Sequence, residues 1–145
     1  MGFAREPQLD VRWGARQGAG SSVMSALDLP GSALYVIQMD LDAALDDEFE
    51  RWNDEEHIRE RLGCPGFLRA SRYRLDPQGR PVDPAAPAAA GRHMTIYELS
   101  DPKALLSEEY ARRTSTPSEW TQRIAPNLQV RSRGVYVRTQ VINAD

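Results

Sequence analysis

From Phe49 to Phe67 the chain reads F-E-R-W-N-D-E-E-H-I-R-E-R-L-G-C-P-G-F. Residues 46–62 are expected to form one helix. Acids in its first turn suit the positive end of the helix dipole, with Asp46 or Asp47 as the cap. Gly63 ends it, and Pro65 forbids continuation. The stripe that should face a core starts apolar, with Leu45, Phe49 and Trp52, and continues at helical spacing with Glu56 and Arg59. An inward stripe that turns polar lines a cavity rather than filling a core. On the adjoining side, Asn53, His57 and Arg61 recur every four residues and share a face.

Strands flank this helix. Residues 33–41, A-L-Y-V-I-Q-M-D-L, are β-branched and aromatic, and 67–75 alternate. Residues 76–91 hold four Pro, two Gly and five Ala and read as a long, mobile connection. A third strand at 92–99 places His93, Thr95 and Tyr97 on one face and Met94 and Ile96 on the other. Short helices are expected near 103–106, 107–113 and 116–124, the last with Pro117 in its first turn. Residues 129–142 close with a long strand in which Gly134 marks a bulge or kink. The order β-α-β-β-α-β is the split βαβ arrangement: an α+β, ferredoxin-like fold with a four-stranded antiparallel sheet and both helices on one face. The bare face then needs a cover, and a second copy of the chain supplies one, giving a homodimer through the sheet.

Residues 1–31 are Gly- and Arg-rich without a sustained period and read as a mobile arm ahead of a domain at 32–145. Met24 opens a more ordinary stretch and is an alternative start. At 145 residues and 41% hydrophobic, the chain suits one domain with one core. A net charge of −3 gives no basic footprint for nucleic acid. No apolar run approaches the roughly 18 residues of a membrane span, and the start has no secretory pattern. Cys64 is the only cysteine, so no internal disulfide is expected. The composition reads as a soluble, cytoplasmic protein.

His57 is the leading candidate for chemistry, because an imidazole near its ordinary pKa of about 6.5 serves as acid or base at neutral pH. Glu56 is the second: it could orient His57, bind a substrate hydroxyl or act as a base, or simply pair with an arginine. Trp52 reads as pocket wall or core. Asn53 and Arg61 share the His57 side. Tyr73, Tyr97 and Tyr136 lie on strands, where a ring can pack while its hydroxyl reaches a cavity. His93, next to the connection, is a second polar wall or solvent-exposed. Tyr110 and Trp120 on the short helices are lid candidates or ordinary packing. Glu55-x-His57 lacks the spacing of metal ligands on one helical face, so no metal is expected. No G-x-G-x-x-G or Walker loop implies a nucleotide cofactor.

W-N-D-E-E-H-I-R-E-R-L, followed by C-P-G-F-L-R-A-S-R-Y, resembles the EthD-like branch of the dimeric α/β barrel superfamily. The third strand ending Y-E-L, and Thr116, Pro117 and Trp120 ahead of the last strand, fit the same group. The resemblance covers about Leu34 to Val137. Asn53 stands where an aromatic is common, and Arg59 where Pro is common. The resemblance implies a small apolar cavity between helices and sheet, into which His57 faces, and cofactor-free chemistry. On that basis the expected function is proton transfer by His57 on a cyclic, aromatic or polyketide-like molecule, of lyase, isomerase or cyclase type. The alternatives are a cofactor-free monooxygenase of a phenol or quinol and a non-catalytic binding protein.

Overall fold

The computed structural model describes residues 32–79, 83, 85 and 89–145. The arm expected over 1–31 lies outside the described residues, as do 80–82, 84 and 86–88 of the connection. The elements are β1 (Ala33–Asp40), α1 (Asp46–Trp52), a π turn (Asn53–His57), α2 (Ile58–Leu62), β2 (Phe67–Arg74), β3 (His93–Leu99), α3 (Glu108–Ser115), α4 (Glu119–Ile124) and β4 (Gln129–Val137). Short 3₁₀ turns sit at Ala43–Leu45, Pro102–Leu106 and Ala125–Asn127. The four strands pair antiparallel in the order β2-β3-β1-β4. This is the α+β, ferredoxin-like fold.

The core lies between the helices and one face of the sheet. β1 buries Ala33, Tyr35, Ile37 and Met39, and β3 buries His93, Thr95, Tyr97 and Leu99, both in strict alternation. Phe49 and Trp52 of α1 and Ile124 of α4 cover them. Each large apolar side chain so buried stabilises the fold by about 1.5–3 kcal/mol. On the opposite face Tyr73 and Tyr136 are exposed, beside half-buried Leu34, Val36, Met94 and Ile96.

The long helix is continuous over 46–62 but not uniform. The Ile58 N–H bonds the Asn53 carbonyl, a five-residue step. A turn closed this way holds about one residue more than an α turn. Arg59 Nε donates to the Asp54 carbonyl at 2.8 Å, the acceptor that Ile58 would use in an α-helix. Arg59 is therefore exposed rather than on the inward stripe. The cap also differs from expectation: the Asp42 carboxylate accepts from the Ala44 N–H at 2.9 Å and caps the 3₁₀ turn, while Asp46 lies within the first turn of α1.

Two β-bulges matter. Phe67 faces Leu99 and Arg69 faces Glu98, so Leu68 is an extra residue in β2. Gln38 faces Ser132 and Met39 faces Val130, so the extra residue in β4 is Arg131 and not Gly134, which stays in register opposite Val36. β4 stops at Val137, short of the expected 142, because Val137 already faces Ala33 at the start of β1. Residues 139–145 carry no regular secondary structure.

Gly63 ends the helix with φ −76°, an ordinary right-handed conformation. Its reason is space: a Cβ there would lie 2.6 Å from Arg113 Nη1. Gly66 has φ +84°, and a Cβ would lie 2.9 Å from the Ala104 Cβ. Gly79 also has positive φ, but nothing lies within 4 Å of its missing Cβ. The pair separates backbone strain from close approach. Gly79→Ala should cost about 1 kcal/mol, and Gly66→Ala roughly 2–3 kcal/mol because overpacking adds to strain. Urea denaturation of the two variants measures this, and equal losses would show that the Ala104 contact is unimportant.

Candidate functional site

A half-open cavity of about 290 Å³ lies between the helices and the inner sheet face. Its floor is Tyr35, Ile37 and Met39 of β1, Thr95 and Tyr97 of β3, and Val130 and Arg133 of β4. Trp52, Asn53, His57 and Arg61 form one wall, and Tyr110, Thr114, Thr121, Ala125 and Leu128 the other. The π turn sets the first wall. The extra residue rotates the inward face by about one position, so that Trp52 is followed by His57 and Arg61 instead of Glu56 and Arg59. Asn53 Nδ2 donates to the Phe49 carbonyl at 2.9 Å inside the helix.

His57 is held by stacking. Its ring lies 4.1 Å from the Trp52 ring at an interplanar angle of 19°. Trp52 Nε1 in turn donates to Thr121 Oγ1 at 3.1 Å, and Ser118 Oγ lies 3.1 Å from that same hydroxyl. His57 Nδ1 is buried without a hydrogen-bond partner among the described residues, and so is Glu56 Oε2. These two atoms are therefore not bonded to each other, and no carboxylate among the described residues bonds the imidazole. Burial lowers the pKa of His57 from 6.5 to about 3, with the Arg61 and Arg72 charges acting in the same direction. The imidazole is neutral at pH 7.

Tyr97 is buried, and its hydroxyl has no hydrogen-bond partner among the described residues. Burial lifts its pKa well above the usual phenol range, so it is a proton-bearing donor at neutral pH. Burial and the Tyr110 hydroxyl push Tyr35 up to about 12. The rings interlock: Tyr35 stacks on Tyr97 at 5.9 Å, and Phe67 stacks on Tyr110 at 5.6 Å while meeting Tyr97 edge-on at 5.4 Å. Arg61 lies over Tyr110, 5.6 Å from its centroid.

Of the side chains singled out from sequence, the cavity brings together Trp52, Asn53, His57, Arg61, Tyr97 and Tyr110. Glu56, Tyr73, His93 and Trp120 are not on its lining. Tyr73 lies on the opposite sheet face because the Leu68 bulge reverses the alternation of β2, and it is 54% exposed. Tyr136 shares that outer face, opposite Leu34. His93 is 3% exposed, not solvent-facing; its Nε2 lies 3.1 Å from Asp46 Oδ1, and Arg92 bonds the same carboxylate. It ties β3 to the start of α1. Trp120 donates to Glu48 Oε1 at 3.2 Å and packs α4 on α1. Sequence periodicity missed Tyr35, Thr114, Thr121 and Arg133 as wall residues. The alternation of β1 contained a signal for Tyr35; Arg133 had none, because the bulge before it breaks the count.

Among the described residues no group of three His, Cys, Asp or Glu could hold a metal ion, and no helix is long and apolar enough to cross a membrane.

The chain is similar in structure to HapK from Hahella chejuensis, with a TM-score of 0.51 at 14% identity over 78% of this chain and 98% of that one. It is also similar to an ethyl tert-butyl ether D (EthD) family protein from Bacillus halodurans, with a TM-score of 0.48 at 11% identity over 74% and 99%. At these identities the likeness is one of fold. No protein-family model and no curated protein sequence matches the chain.

The His57 environment has a consequence for stability. The unfolded chain binds a proton near pH 6.5 and the folded one only near 3, so the unfolded state holds more protons in between. Unfolding free energy therefore rises with pH across that window; the contribution is complete above 6.5 and is lost as pH falls toward 3. Denaturant midpoints followed from pH 7 down to about 5 should fall more steeply for the wild type than for His57→Gln. Parallel curves would mean that the imidazole is not held neutral.

Proposed function

We propose that the protein is a cofactor-independent enzyme that moves a proton on a cyclic or aromatic-like small molecule. The observation that carries this reading is a neutral imidazole sharing one cavity with the Tyr97 hydroxyl and the Arg61 guanidinium, in a lining that includes no carboxylate among the described residues. His57 accepts a proton from the carbon next to a carbonyl. The C–H electrons move into the enolate, whose oxygen takes a hydrogen bond from Tyr97. The positive field of Arg61 and Arg133 favours that negative charge. The imidazolium then returns its proton to another carbon or to a leaving oxygen, which gives an isomerase or a lyase. A base with so low a pKa limits the substrate to activated carbon acids.

The assay is hydrogen–deuterium exchange by NMR on 2-tetralone and a panel of cyclic β-keto esters in D2O. His57→Gln should slow protein-dependent exchange by about 10²- to 10⁴-fold, and Tyr97→Phe by about 10²-fold. Exchange that His57→Gln leaves intact defeats the reading. The low basicity of His57 favours one other role, a binding protein that holds its ligand unchanged; it predicts tight binding with no exchange. Oxygen uptake during turnover would replace proton transfer with cofactor-free oxygenation of a phenol or quinol.

The protein is further proposed to be a homodimer. The supporting observation is the outer sheet face, where Leu34, Val36, Met94 and Ile96 sit between the exposed rings of Tyr73 and Tyr136. Light scattering should give twice the chain mass, and Ile96→Glu should halve it. A monomeric wild type at micromolar concentration would remove the proposal.

A further inference from the structure

We infer that the cavity takes an organic anion, a one- or two-ring cyclic or aromatic carboxylate whose carboxyl group docks on the Arg61 guanidinium. The inference concerns the same cavity as the proton-transfer reading and names its substrate class, but it stands on binding alone.

The arginines of this protein set the contrast. Arg72, Arg92 and Arg113 are each partly buried, and each bonds a carboxylate, at 2.7, 3.1 and 2.7 Å. Arg61 is more buried than any of them, with a side chain only 14% exposed. It donates no hydrogen bond to a described residue, and its Nη1 is buried without a partner. Glu60 Oε1 lies 3.5 Å from that atom but does not complete a hydrogen bond. A guanidinium carries five N–H donors and no acceptor. Leaving the buried Nη1 without a bonded acceptor is costly unless one arrives from elsewhere.

The surroundings select the acceptor. The charged side chains of the lining are Arg61 and Arg133, and the lining includes no Asp or Glu among the described residues; Glu60 lies off it, 3.5 Å from Arg61 Nη1. A neutral or cationic ligand would leave this field uncompensated. A carboxylate presents two oxygens that match the planar fork. The rest of the lining mixes aromatic and apolar side chains, Trp52, Tyr35 and Tyr110 among them, with short polar ones at Asn53, Thr95, Thr114 and Thr121. At about 290 Å³ the space lies at the small end of ligand pockets, which run from about 300 to 1,000 Å³. It suits one or two rings. The Arg61 charge also holds down the proton affinity of His57. A carboxylate on Arg61 cancels that repulsion and makes the imidazole a better base.

The test compares 2-naphthoate with 2-naphthamide, and benzoate with benzamide, by calorimetry at neutral pH. Each acid should bind about 10- to 100-fold more tightly than its amide. Arg61→Gln should abolish that preference, and Arg61→Lys, which keeps the charge but not the fork, should retain part of it. Ligand-free Arg61→Gln should melt no lower than the wild type, since it removes a buried charge whose ion pair with Glu60, at 3.5 Å, completes no hydrogen bond; a structural arginine would give the opposite. Equal affinity for acid and amide, a preference that survives Arg61→Gln, or no binding of either acid at millimolar concentration overturns the inference. Deuterium exchange on the neutral ketones reads proton transfer separately and is untouched by those outcomes.

Discussion

The hydrogen bond from the Ile58 N–H to the Asn53 carbonyl decides which side chains meet the sheet. An α-helix that presents Phe49 and Trp52 inward goes on to present residue 56 and then 59 or 60. The longer step delays the rotation by about one residue, so His57 and Arg61 arrive instead. Such a turn is less favourable than regular helix, and it survives because its polar groups are bonded: Asn53 Nδ2 to the Phe49 carbonyl, and Arg59 Nε to the Asp54 carbonyl. The wall of the cavity follows from this turn.

The same arithmetic runs through the sheet. One extra residue at Leu68 sends Tyr73 outward, and one at Arg131 decides that Arg133 faces in. The fold was legible because it depends on element order and on apolar alternation, which β1 and β3 carry without interruption. The second helix of the motif, broken into short pieces by Pro102 and Pro117, was legible for the same local reasons. Asn53, His57 and Arg61 were legible because their four-residue spacing keeps them together on either kind of turn. Glu56 and Tyr73 were misplaced because single-residue insertions leave no mark in composition or spacing. His93 was misread for a different reason: its partner Asp46 is 47 positions away, and a tie of that length has no local signature.

Two indoles tie α1 to the α4 segment. Trp52 reaches Thr121, and Trp120 reaches Glu48, so α1 and α4 are joined by hydrogen bonds beside the space rather than by side chains filling it. Inside, His57 Nδ1, Arg61 Nη1 and the Tyr97 hydroxyl are buried without a hydrogen-bond partner among the described residues. Cores ordinarily satisfy such groups, and each unsatisfied one costs about 1–3 kcal/mol. Their concentration around one cavity, while Arg72, Arg92 and Arg113 each bond a carboxylate, is what readiness to bind a ligand would require.

Readiness of this kind couples the cation to the base. Arg61 and His57 sit one helical turn apart on one wall, and the charge of the first disfavours a proton on the second. With the cavity free, burial and that charge together leave His57 a weak base. An anionic group docked on the guanidinium would remove the Arg61 part of the penalty on the imidazolium, while the larger part, from burial, stays. A neutral ligand of the same shape would enter the same space and leave both parts in place. Discrimination would then rest on charge at Arg61 rather than on fit against the aromatic walls, which accept many ring shapes. That arrangement needs no orienting carboxylate behind His57, because the stacking of Trp52 fixes the ring and the ligand supplies the missing negative charge.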